Sequence, residues 1–194
     1  MNRNRLLNIV ISMFFVVSFI LFSGCTSNNS NNNLNSSSWL DTYTPVHSVG
    51  SGNNDFWIAF PEINPNAGQP VNHTSWVLEA LETKAYVFVV HKTGCASCQP
   101  QADRTIALGN EYWEDIISND LDLTLGGVTE QKGYEAFLYD PNDAEGYIAL
   151  TGIFTLVKDN GNVTIGWHSW EGDVTDAEME SWIKDAIYYY HVNQ

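Results

Sequence analysis

An unbroken apolar run, Ala85-Tyr86-Val87-Phe88-Val89-Val90, leads through a short turn, His91 to Gly94, into Cys95-Ala96-Ser97-Cys98. No other segment constrains the fold as tightly. A continuous apolar run of this length predicts a strand covered on both faces, and such a strand needs elements packed above and below it. The residues that follow, from about Ala96 to Leu108, read as a helix. Pro100 falls near its first turn, where a missing N–H costs least, and Gly109 is the expected stop. Two cysteines are thereby set at the junction of a buried strand and a helix.

The rest of the chain supplies partners for that strand. Thr74 to Thr83 carries Trp76, Val77, Ala80 and Leu81 on one helical face. Ile153 to Val157 and Val163 to His168 read as two strands joined by Asp159-Asn160-Gly161, residues suited to a tight turn. Thr175-Asp176-Ala177-Glu178 has the spacing of a capping box. Met179, Trp182, Ile183, Ala186, Ile187 and Tyr190 then recur at helical spacing. Weaker patterns predict a short strand over Asp55 to Phe60, a helical piece over Glu111 to Ile117, a strand over Ala136 to Tyr139 and a short helix over Asn142 to Leu150. Leu121 to Gly133 shows no dominant period. The order of elements predicts an α/β domain with a central mixed sheet of about four to five strands flanked by helices.

The N-terminal region has a different character. Met1 to Arg5 is basic, Leu6 to Phe22 is almost entirely apolar, and Ser23, Gly24 and Cys25 follow. That order describes a secretory signal, and Phe22-Ser23-Gly24-Cys25 resembles a lipobox. The resemblance implies a signal peptide over residues 1–24 and a diacylglyceryl group on Cys25. The alternative is an uncleaved anchor, whose apolar stretch lies near the lower end of the roughly 17–25 residues that span a bilayer. Either way the bulk of the chain is expected at the cell membrane, on its extracytoplasmic face. Residues 25–50, rich in Asn and Ser, read as a linker, and 51–194 as the domain, although the composition already turns globular at Trp39.

Charge narrows the partners. Asp and Glu number 23 against 8 Lys and Arg, a formal net charge of −15. Phosphate backbones repel such a surface, so nucleic acid is excluded as an expected partner.

A C-x-x-C pair serves either as half of a zinc site or as a redox dithiol. The chain has 3 cysteines and no second C-x-x-C, and its 5 histidines lack zinc-ligand spacing. A structural disulfide remains open, since the expected compartment is oxidising, but closing so short a loop adds little by chain entropy. At a helix N-terminus the partial positive charge favours a thiolate. Cys95 is then the attacking sulfur and Cys98 the resolving one, with His91 and Lys92 adding positive potential.

At these residues the chain resembles thioredoxin-like proteins. AYVFVVHKTGCASCQPQADR is similar to their strand, active-site turn and helix, and AFLYDPNDAEGYIALTGIFTLVKDNGNV to their later strand, short helix and hairpin. The resemblance spans about residues 74 to 190, more loosely between 109 and 134. It implies a thioredoxin-like fold and a membrane-anchored thiol–disulfide oxidoreductase. Its partners would be a protein disulfide or dithiol and a second redox protein, and no cofactor is implied. It aligns Gly94 with the family's tryptophan, Val89 with thioredoxin's buried acid, and Phe154 with the cis-proline whose loop faces the dithiol. Ile153 and Phe154 are therefore the expected substrate-docking loop. Two alternatives stand beside this reading: a binding module holding a soft metal such as Cu(I) on Cys95 and Cys98, with His168 as a third ligand, and a redox-inactive domain with a closed disulfide.

Overall fold

The computed structural model describes residues 36–143 and 146–194. The expected signal peptide and the lipidated Cys25 lie outside the described residues. No helix among the described residues is long and apolar enough to cross a membrane.

The apolar run forms β3, Ala85–His91, buried along its whole length. It lies inside a four-stranded sheet of order β4-β3-β5-β6. On one side it pairs in parallel with β4, Ile116–Asp122. On the other it pairs antiparallel with β5, Leu150–Asp159, which turns at Asn160-Gly161 into β6, Asn162–Glu171. The fold is therefore α/β with a mixed four-stranded sheet flanked by helices.

Alternation along β3 gives each face its own cover. Tyr86 and Phe88 meet Trp76 of α1, Ser75–Leu81, at ring-centroid distances of 5.9 and 5.7 Å. Trp76 in turn donates to Glu135 of α3, Gly127–Glu135, at 2.8 Å. The opposite face carries α2, Gln99–Glu111, and α4, Asp176–Asn193. There Thr155 of β5 donates to Ala186 O of α4 at 2.6 Å. The capping box is formed: Thr175 Oγ1 accepts from Glu178 N at 3.2 Å.

Several weaker expectations are corrected. Over Asp55 to Phe60 only Asp55–Phe56 is a strand, β2, paired in parallel with β1, Ser48–Val49. Trp57 adds a single bridge to Trp167 before the chain turns away. Glu111 to Ile117 is not a helical piece. α2 continues through Gly109, where a Cβ would stand 2.4 Å from the Ser118 side chain, and ends at Glu111. A turn closed by Asp115 N and Ile116 N on Tyr112 O then feeds β4. Ala136–Tyr139 is a 3-10 turn continuing α3, not a strand. A short apolar run fits either state, and here the preceding helix decides. Residues 142–143 and 146–149 form no helix.

The domain also begins before Ser51. Trp39 and Leu40 pack against the core. Trp39 lies 4.9 Å from Tyr43 between ring centroids, edge to face. Asp185 of α4, fully buried, accepts from Tyr43 Oη at 2.6 Å, Val46 N at 3.0 Å and His47 N at 2.7 Å, and meets His47 Nδ1 at 2.6 Å. Burial and this carboxylate push the Tyr43 phenol well above its ordinary range.

Candidate functional site

The dithiol stands where the C-terminal end of β3 meets α2. After His91 the chain leaves the sheet, and Cys95 N donates to Lys92 O at 3.0 Å. Gly94 has φ +85°, a conformation that side chains resist, which explains glycine immediately before the first cysteine. Cys98 N and Gln99 N both donate to Cys95 O, at 3.1 and 3.2 Å, and start the helix. Pro100 occupies its first turn without loss of a bond. A disulfide joins Cys95 and Cys98, whose Cα atoms are 5.4 Å apart.

The two sulfurs differ in access. Cys98 is fully buried and packs with Val89, Ala102 and Ala149. Cys95 is only partly buried, at the edge of the same cluster beside Ile148. Ser97 Oγ stands 3.5 Å from Cys95 Sγ.

A buried carboxylate fixes the turn. Asp122, at the end of β4, accepts from Thr93 N at 3.1 Å, from the Thr93 hydroxyl, and from Thr124 N and Oγ1, both at 2.8 Å. Burial alone would raise its pKa, but the hydrogen bonds from Thr93 and Thr124 outweigh that and hold it far below the ordinary carboxylate value. The resulting stabilisation is complete above the unfolded-state pKa of about 4 and fades as pH falls through the lower native value. Asp122→Ala is expected to cost about 2 kcal/mol at neutral pH and to flatten the acid limb of the stability profile. Urea unfolding at several pH values checks both.

Beside the dithiol opens a cavity of about 530 Å³, lined in part by Lys92, Leu123, Tyr134, Phe137 and Ile148. Tyr134, Tyr147, Leu125 and Val128 are among the exposed large apolar side chains of the chain. Lys92 is exposed, as a source of positive potential near Cys95 would be.

The expected docking loop is elsewhere. Ile153 and Phe154 lie inside β5, fully buried, and Phe154 packs 4.7 Å from Tyr139 between ring centroids. Neither can touch a substrate. The residues that β5 brings to the dithiol precede the strand: Ile148 and Ala149, joined by a cis peptide. His168 is not beside the cysteines either. Its Nδ1 meets Asp55 O at 2.8 Å, and its ring stacks 3.9 Å from Trp182. Burial lowers its pKa to about 3. Among the described residues no group of three or more His, Cys, Asp and Glu could hold a metal ion.

Sequence reasoning found both cysteines and missed their supports. The Asp122-Leu123-Thr124 order carries a local signal, an acid bonding the backbone two residues on. Ile148 and Ala149 carry none, because only the fold brings them to Cys98. No protein-family model and no curated protein matches the chain.

Proposed function

We propose that the protein is a thioredoxin-like thiol–disulfide oxidoreductase, held at the outer face of a membrane by a lipidated Cys25. One observation carries the redox reading: a C-x-x-C pair at a strand-to-helix junction, its first sulfur within reach and its second fully buried. The succession β3-α2-β4-α3-β5-β6-α4 with sheet order β4-β3-β5-β6 supports the family resemblance. The membrane tether rests on the sequence of residues 1–25 alone.

In the reduced protein the α2 N-terminus favours the Cys95 thiolate. That thiolate attacks one sulfur of a substrate disulfide, forming a mixed disulfide and releasing the first substrate thiolate. Cys98 then attacks Cys95 Sγ. The Cys95–Cys98 bond forms, the bond to substrate breaks, and the electron pair leaves on the second substrate sulfur. Substrate is reduced by two electrons and the dithiol is oxidised by two; a reverse sequence oxidises a dithiol substrate. The cavity bounded by Lys92 and Ile148 gives the substrate chain a place beside Cys95. Turnover of a disulfide substrate tests the reading, with loss in Cys95→Ser as the expected result and equal turnover in both proteins as the contrary one.

A further inference from the structure

Resolution requires Cys98 to surrender a proton, yet its surroundings contain no base. Val89, Ala102 and Ala149 enclose it, and burial among apolar groups holds a thiol protonated. This problem arises only within the redox reading above, and the inference rests on that reading.

β3 carries one titratable side chain on the face that meets Cys98. Residues two apart on a strand share a face, so His91 stands on the same side as Val89, one step closer to the cysteine turn. His91 is 5% exposed. Its Nε2 lies 2.6 Å from Asp120 Oδ1, while its Nδ1 is enclosed and has no hydrogen-bond partner. A proton donated from Nε2 to Asp120 leaves the Nδ1 lone pair free. A buried polar atom without a partner calls for a reason. In the disulfide state Cys98 has no S–H to offer it; in the reduced state it does. Asp120 at the other end is 42% exposed and opens to water.

The other charged groups near this face are accounted for. Asp122, the register partner of His91, is taken by Thr93 and Thr124. The buried side of α2 presents Gln101, Ala102, Thr105 and Gly109, none of them ionisable. Its Arg104 is paired with Asp173 and Asp176, and its Asp103 accepts from Gln99. From β5 the register positions are Leu150 and Thr151. Lys92 points to solvent.

We propose that the His91–Asp120 pair carries the Cys98 proton to solvent. As the Cys98 sulfur attacks Cys95 Sγ, its proton passes to His91 Nδ1. The departing substrate thiolate takes a proton from water, and His91 returns to neutral by releasing its Nε2 proton through Asp120. The pair does the work for which Val89 offers no acid.

The test follows Cys98 thiolate formation, by ultraviolet absorbance against pH, in the reduced full chain carrying Cys95→Ser. With His91 present the thiolate is expected to form in two steps shared between the sulfur and the imidazole. His91→Phe and His91→Gln should each leave a single step, its midpoint raised by about one pH unit or more. Asp120→Asn should move it in the same direction. The glutamine variant keeps a polar side chain and serves if phenylalanine prevents folding. An unchanged Cys98 titration in a folded His91 variant overturns the relay. Wild-type turnover of a disulfide substrate is measured alongside. Turnover with an unchanged titration removes the relay alone, and a coupled titration without turnover removes the redox reading alone.

Discussion

Cys95→Ser is expected to lower disulfide turnover by on the order of 10³-fold or more, the scale on which loss of a nucleophile acts. Serine keeps the size of the side chain and its place before the helix. What disappears is the thiolate, which the α2 N-terminus stabilises and a hydroxyl cannot supply at neutral pH. Folding should survive, because Cys95 is only partly buried and the disulfide closes a short loop whose entropy gain is small. The variant should therefore retain its circular dichroism and a cooperative melt while losing turnover. A structural disulfide predicts the opposite order of effects, with stability falling and no turnover to lose.

Phe154→Ala is expected to cost about 3–5 kcal/mol of folding stability, a fall in melting temperature on the order of 10 °C for a domain of this size. Phe154 is fully buried, and its ring meets Tyr86, Phe88 and Tyr139 at centroid distances of 5.8, 5.7 and 4.7 Å. Across the strand, a Cβ on Gly152 would lie 2.5 Å from the Phe88 ring, so this aromatic packing leaves no slack to fill the vacated space. Turnover per folded molecule should stay near wild type, since Phe154 lies within the core rather than beside Cys98. Chemical denaturation and single-turnover kinetics on the same preparation separate the two effects. A docking residue would give the reverse pattern, with stability kept and turnover lost.

The elements read correctly from sequence are those whose pattern matches their burial on both faces or along one stripe. β3 is apolar throughout and buried throughout. α4 shows its cap and its apolar face, and the β5–β6 hairpin shows its turn. β4 hid because it is an edge strand. Ser118, Asn119 and Asp120 break the apolar run where the strand is least covered, as edge strands favour. Ala136–Tyr139 misled because four apolar residues have no period of their own.

The site was legible to the same depth. Cys95 and Cys98 declare themselves by spacing and by what precedes them. Their supports come from other elements: Asp122 from β4, and Ile148 and Ala149 from the approach to β5. The docking loop was displaced by five residues because Gly152-Ile153-Phe154-Thr155 resembles the family's motif while lying deep in β5. The strand begins at Leu150 and is buried from there, so the residues free to face the dithiol are those just before it.

The most direct test of the account is the redox equilibrium of the Cys95–Cys98 pair against glutathione. A catalytic dithiol with one accessible sulfur is expected to have a reduction potential above about −300 mV. It should also interchange with the buffer on the timescale of turnover. A potential below about −300 mV, the range of structural disulfides, with no exchange under native conditions, would contradict it.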